Sequence, residues 1–518
     1  MHAATRAELR PTDTSSAEMW RFLPTDTVER FDSPDAGFRV HFTRAGKNAV
    51  PASDGNTNGI PDLVEAVASV YGEVAAKYQT AMGYRAPIPD SAIGSNGGDG
   101  RFDVYLVDFG FQADGAFRLD ACTNERCTGY VVQENDFVGY NYPNATVATR
   151  ILGSHEYFHA IQDAYDNNQG TVLSEGTAVW ATEQFDPSTN DLEGFLNGFM
   201  SRPERSLDSP PPGPVPAFAY GSAIFFQFLS EKYGPAIIRR LWERCENGNG
   251  DPSEPADVAN PRWIVQLDAL LKAEHQSSFA EAFRTFAYWN FFTGTYADPS
   301  RAYAGGASYP GPAMMTVAAP QQVQMQRVFY ASVAWFQVAA AGRATMGAAL
   351  LDDPLTPLED ETQGLAVILG VRRNNSNSVV IPVADVRAEN TLDTSGNAQL
   401  VVAVVNTARQ GANGALSKRP GLCIGSPAEL RACRLAIDPS LDAGVPDAGV
   451  PDAGVPDAGP VVDAGVEADA GIAPTPMPKG CGCSAPGPVL GALFALAWAA
   501  WRRRGRYAAA NWRSTSRL

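Results

Sequence analysis

Gly153-Ser154-His155-Glu156-Tyr157-Phe158-His159-Ala160-Ile161-Gln162-Asp163 is the stretch on which this chain turns. It carries the pattern H-E-x-x-H inside a run with helical periodicity. Four residues of helix turn about 400°, so His155 and His159 share one face, one turn apart. Two neutral imidazoles at that spacing can grip one zinc ion. Glu156 projects beside them, placed to accept a proton from water that the ion activates. Two of the chain's five histidines fall in this window. The bland alternative is a pair that only lines or caps a helix. His41 reads as a strand residue and His275 as a solvated one.

Catalytic zinc takes three protein ligands and keeps a position open for water. An anionic oxygen from a neighbouring element suits the third place. Glu175, sixteen residues beyond His159 in S-E-G-T-A-V-W, is the expected ligand, with Glu183 and Glu193 behind it. The alternative for Glu175 is a favourable charge in a first helical turn. Ser174 is the expected cap of that helix. A metal-bound histidine also needs an acceptor on its second ring nitrogen, and Asp163, one turn past His159, is placed for it.

A second metal pattern precedes the first. Asp54, Asn56, Asn58, Asp62 and Glu65 hold oxygen side chains at loop positions 1, 3, 5, 9 and 12, with Gly59 at 6 and the Ile60 carbonyl at 7. That is the EF-hand calcium spacing. The competing reading is a turn that caps the helix expected from Leu63 to Met82.

At 518 residues the chain exceeds one core. Its net charge of −17 argues against nucleic acid as a partner and against general binding to anionic membranes. Residues 1–36 are expected as an irregular lead-in. Alternation predicts strands over 38–43, 101–109 and 128–133, and periodicity predicts helices over 146–166, 174–183, 220–233, 236–246 and 261–288. From about residue 310 the texture turns to short β-branched runs at 328–338, 364–371, 378–383 and 399–405, an antiparallel sandwich-like pattern. The expected class is α+β: a catalytic domain over 37–309, a β-rich domain over 310–438, a disordered acidic D-A-G-V-P linker over 439–480 and a tail over 481–518. Cys122 with Cys127, and Cys423 with Cys433, look like local disulfides of an oxidising compartment. In the tail, Cys481-Gly482-Cys483 precedes an uncharged stretch, 484–501, at the short limit for a membrane-spanning helix, then an arginine cluster. The amino terminus, MHAATRAELR, has no apolar signal-peptide core, so a start further upstream is expected.

H-E-Y-F-H followed by S-E-G-T-A-V-W resembles the gluzincin branch of zinc peptidases. The third histidine of the metzincins is absent after His159. Together with G-N-T-N-G-I-P-D-L-V-E and G-G-D-G-R-F-D-V-Y-L, these motifs resemble a group of myxobacterial metalloproteases over residues 35–310 and the β region. Val172 departs from it, standing where such sequences often carry Trp. The tail resembles the MYXO-CTERM sorting signal. The resemblance implies a zincin-like domain, zinc on His155, His159 and Glu175, Glu156 as base, and Tyr220 as a donor to the oxyanion. It also implies export to the cell surface, with membrane attachment through the tail or its sorting machinery. A monomeric zinc peptidase acting on polypeptide is the expected function. The rivals are a non-catalytic surface adhesion protein on the same scaffold and a zinc hydrolase of a non-peptide bond.

Overall fold

The computed structural model describes residues 10–13, 20–35, 37–208, 215–254, 257–323, 325–352, 364–374, 376–396, 398–409 and 417–442. The expected linker from residue 443 onward, the cysteine motif, the hydrophobic stretch and the arginine cluster lie outside these residues. Among the described residues no helix is long and apolar enough to cross a membrane.

Alternating stretches build the first sheet. β1 (Glu29–Asp32), β2 (Phe38–Phe42), β3 (Phe102–Val107), β4 (Gly115–Thr123) and β5 (Arg126–Glu134) stand in the order β1-β2-β3-β5-β4. β2, β3 and β5 run parallel, and β1 and β4 are antiparallel edges. Side chains alternate across a strand, so Phe38, Val40, Val104, Leu106 and Val131 share one face. They pack in one core with α1 (Asp62–Ala75), which continues into a π-helical turn at Ala76–Ala81, and with α2 (Ala145–Asp163). Tyr105, Val107, Tyr130 and Val132 face the other way, covered by Trp20 and Phe22.

The stretch 1–36 is therefore not wholly the irregular lead-in expected. It supplies β1 and a strap across the outer face of the sheet. Arg10, 3% exposed, pairs with Asp90, Asp103 and Asp120 beneath that strap. His41 lies there too, stacked on Tyr105 and bonded through Nε2 to Asp103 at 2.6 Å.

β4 has no counterpart among the expected strands. Its sequence G-A-F-R-L-D-A-C-T alternates, but Arg118 and Asp120 occupy the buried positions on the strap side. Charges there hide the hydrophobic period. Gly115 has no room for a side chain: a Cβ would come within 2.5 Å of Leu152 Cδ2, so β4 rests directly on α2. Cys122 and Cys127 are direct partners across the β4–β5 hairpin and form a disulfide.

Helices fill the other half: α3 (Thr171–Phe185), α4 (Asp191–Met200), α5 (Val215–Gly221), α6 (Ala223–Tyr233), α7 (Ala236–Arg244), α8 (Trp263–Glu274) and α9 (Phe279–Trp289). Asn144 caps α2 by accepting the Val147 N–H at 2.9 Å, a contact worth about 1 kcal/mol. α3 starts one turn earlier than expected. Gly170 occupies its N-cap, which puts Ser174 inside the first turns and not at the cap.

Beyond residue 314 two sheets face each other. One has the order 376–382, 365–373, 399–406, 332–339, 315–317; the other has 390–393, 345–351, 421–425, 321–323. All pairings are antiparallel except that of Met315–Val317 with Ser332–Ala339. Phe336, Leu369, Leu400 and Val402 meet Met346, Leu350 and Leu422 between them. The larger sheet turns Val333, Trp335, Val401 and Ala403 toward the helical core, where Trp335 meets Phe291. A helix, α10 (Pro427–Ile437), follows a Ser426/Glu429 capping box, and the Cys423–Cys433 disulfide ties it to the preceding strand. The chain is thus α+β in class.

Candidate metal centre

α2 and α3 are joined by a short turn and pack side by side, and β4 lies against α2, so side chains of both helices can meet between them. His155, His159 and Glu175 converge there. The two Nε2 atoms stand 3.2 Å apart, and Glu175 Oε2 lies 3.3 Å from His155 Nε2 and 3.5 Å from His159 Nε2. A tetrahedral zinc with bonds of about 2.0–2.1 Å sets its ligands about 3.3–3.4 Å apart. The triangle therefore matches the donor set and spacing that zinc requires. The three side chains are 10%, 15% and 14% exposed, which leaves the open side of the triangle reachable from solvent. Among the described residues no other cluster of three His, Cys, Asp or Glu brings ligand atoms so close. Glu183 and Glu193, the reserve candidates, stand outside it. Gly176 next to Glu175 is required by packing: a Cβ would lie 2.4 Å from Ser222 Oγ.

The electrostatics follow from that triangle. Burial disfavours the His159 cation, but the charges of Glu175 and Glu156, together with the hydrogen bonds to Glu175 and Gln162, raise its pKa to about 10. Burial likewise pushes the Glu175 pKa up, and the two imidazoles pull it well below the usual carboxylate range. Without metal the site holds a proton between acid and base, which a metal must displace.

His159 Nδ1 is held by Gln162 Oε1 at 2.8 Å, and Gln162 Nε2 donates to the Ser174 carbonyl at 2.8 Å and Thr177 Oγ1 at 3.0 Å. Gln162 thus takes the part expected of Asp163, which accepts instead from Asn167 at 3.1 Å. Positions three and four residues on share a helix face, and the pattern does not choose between them.

Glu156 Oε2 accepts the Phe117 N–H of β4 at 2.8 Å. This bond fixes the carboxylate beside the histidines and ties it to an edge strand that has no partner on its outer side among the described residues. Tyr220, at the end of α5, has its ring 5.8 Å from that of His155, and its hydroxyl faces Glu175. Burial first, then the charges of Glu175 and Glu156, holds the phenol protonated far above neutral pH. Phe195 stacks on Tyr220 from α4 at 5.2 Å.

In the 54–65 loop, Asp54 accepts from the backbone of Asn58 and Gly59, and the Asn58 side chain accepts from Ile60 N. Glu65 accepts the Asn56 and Asn58 amides at 2.9 and 2.7 Å. Asp62 turns to Ser53 and to Gly55 N. Asp54, Asn56, Asn58 and Glu65 are thus gathered around one turn, while Asp62 closes its base.

No protein-family model matches the chain, and no curated protein matches it. Among solved structures it is similar to aminopeptidase A of Legionella pneumophila, determined in complex with aspartic acid, at 11% identity and a TM-score of 0.31. The similarity covers 71% of this chain and 36% of that one, so the chain spans about a third of the neighbour's length. A likeness this distant carries neither fold nor function.

Proposed function

We propose that the chain is a zinc-dependent peptidase of zincin type that hydrolyses polypeptides after export from the cell. The observation that carries this reading is the triangle of His155, His159 and Glu175, with Glu156 fixed beside it under an edge strand. These three residues would hold the zinc. When bound, the metal supplies Lewis acidity, lowering the pKa of a water and polarising a carbonyl.

The chain's own groups account for the rest. Glu156, oriented by the Phe117 N–H, takes the proton of the attacking water and passes it to the leaving amine. Tyr220 remains a phenol and donates to the oxygen on which negative charge develops. β4 offers backbone groups along its outer edge, and an extended peptide can pair with such an edge as an added strand. That supports a polypeptide substrate. The paired cysteines and the sorting-type tail support export, and the 54–65 loop is read as a calcium site that stiffens the start of α1.

The test is Glu156→Gln in the zinc-loaded protein. The parent should cleave a casein or peptide-library substrate, and the variant should keep about one zinc per chain while losing about 10²–10⁴-fold in activity. Full activity in the variant refutes the assignment of the base. Zinc binding with no cleavage by the parent favours the non-catalytic adhesion reading.

A further inference from the structure

β4 reaches the metal centre through the bond from the Phe117 N–H to Glu156 Oε2. Whatever fixes β4 over α2 therefore fixes the base. β4 is an edge, paired with β5 and with no neighbour on its other side among the described residues, and such a strand opens locally unless its ends are tied. At its start Gly115 rests on Leu152. At its far end the hairpin turns back through Asn124 and Glu125. We propose that this tip is a clasp: Glu125, Arg126 and the Cys122–Cys127 disulfide are positioning residues that hold β4 to the carboxyl end of α2 and so keep the Phe117 N–H on Glu156. The inference rests on the peptidase reading above.

The turn itself is the first sign. Thr123 and Arg126 are strand partners, so Asn124 and Glu125 form a two-residue loop, with φ of 51° and 61°. Positive φ at both places marks the type I′ turn, whose favoured sequence is Asn-Gly. Asn124 suits it. Glu125 does not, because a β-carbon is crowded in the left-handed region. A glutamate held where glycine fits more easily points to a task for its side chain. Its Oε1 accepts from Asn168 Nδ2 at 3.2 Å and its Oε2 from Asn247 Nδ2 at 2.7 Å, while its carbonyl accepts the Asn167 N–H at 2.7 Å. Asn167 and Asn168 lie just past α2, and Asn247 lies just past α7.

Arg126 makes the second tie, donating from Nε to the Ala164 carbonyl at 2.9 Å. Ala164 is the C-cap of α2, where a cation complements the negative end of the helix dipole. The disulfide is the third. It joins the residue pair directly behind the turn, so the tip cannot splay and Glu125 and Arg126 move as one body. Asn124, Arg126, Asn167, Asn168 and Asn247 are exposed. Hydrogen bonds among such groups add little to the stability of the whole fold, so the clasp acts locally, on the edge strand. Catalysis is sensitive to placement of this kind: a shift of about 1 Å can cost about 100-fold in rate.

The experiment compares the zinc-loaded full chain with two variants. Glu125→Gly relaxes the turn and removes the side-chain ties; Cys122→Ser combined with Cys127→Ser frees the tip. In both, amide exchange over residues 115–119 should speed up about tenfold, while zinc stays at about one per chain. On a short peptide kcat should fall about tenfold and KM should change less than about twofold. Glu125→Gln keeps an acceptor at the tip and should recover most of the loss. A role in fold stability alone predicts the reverse for Glu125→Gly, a relaxed turn with full kcat. Exchange at the parental rate, faster exchange with full kcat, or a fall in kcat matched by lost zinc overturns this inference and leaves the peptidase standing. A parent that cleaves neither this peptide nor a random library overturns the peptidase reading itself, and the clasp then stands or falls on the exchange alone.

Discussion

Replacing Gln162 with leucine removes four hydrogen bonds and leaves all three proposed ligands in the chain. The side chain is 2% exposed and joins His159 Nδ1 to the Ser174 carbonyl and the Thr177 hydroxyl. Leucine is of similar volume, so the cost lies in the polar groups left behind rather than in a cavity. His159 loses the acceptor that holds its Nε2 toward Glu175 and His155, and losses of this kind lower metal affinity about 10–100-fold. That range equals about 1.4–2.8 kcal/mol. The stranded groups on α3 cost about 1–3 kcal/mol of fold stability. Gln162→Glu retains the acceptor but not the amide donors, so it should restore affinity more than stability. Competition against a chromogenic chelator reads the first quantity, and denaturant unfolding of the metal-free chain reads the second. Asp163→Asn is the control and should change affinity less than about threefold, since its carboxylate serves Asn167. A folded Gln162→Leu protein that binds zinc as tightly as its parent would refute this account of the outer acceptor.

Three further outcomes follow from the same geometry. Tyr220→Phe should lower kcat about 10²–10³-fold with little change in metal content, the loss expected for one oxyanion donor; an equal drop in zinc content would make Tyr220 a structural partner of Glu175 instead. Because His159 titrates near 10 and binds metal only when neutral, zinc affinity should rise about tenfold per pH unit between pH 6 and 8. In the metal-free chain the sign is opposite: the raised pKa contributes stability that is whole below about 6.5 and lost as pH climbs toward 10. Unfolding midpoints across pH 6–9, with and without zinc, check both slopes. Calcium at 100 times its Kd should add about 2.7 kcal/mol of stability, and Glu65→Gln should abolish most of that gain; a parent whose melting temperature ignores calcium leaves the 54–65 loop as a helix-capping turn.

Much of the candidate centre is legible because its residues sit on adjacent turns of one helix and on the next. His155 and His159 need only helical spacing to meet. Glu175 needs α2 and α3 to pack as neighbours, and the short turn between them makes that geometry nearly obligatory. Elements whose partners are distant are hard to read. β4 alternates faithfully, but its inward Arg118 and Asp120 look like surface residues until the strap over that face is known. The strand Thr345–Leu351 is rich in Gly and Ala, whose small side chains give little periodic signal, and it too stands outside the expected set. The Asp163-for-Gln162 exchange is a different failure. Both positions lie on the right face, and only the approach of α3 selects one.

The salt-bridge core under the amino-terminal strap sets an order of events as the protein is made. Arg10 leaves the ribosome long before Asp90, Asp103 and Asp120, its three partners. Until the last of them emerges, the cation has no complete socket and the outer face of the sheet keeps Tyr105 and Tyr130 uncovered. Such sequence-distant closure is slow and leaves sticky intermediates. Newly synthesised chains should therefore depend on helper proteins until the β4–β5 hairpin has formed.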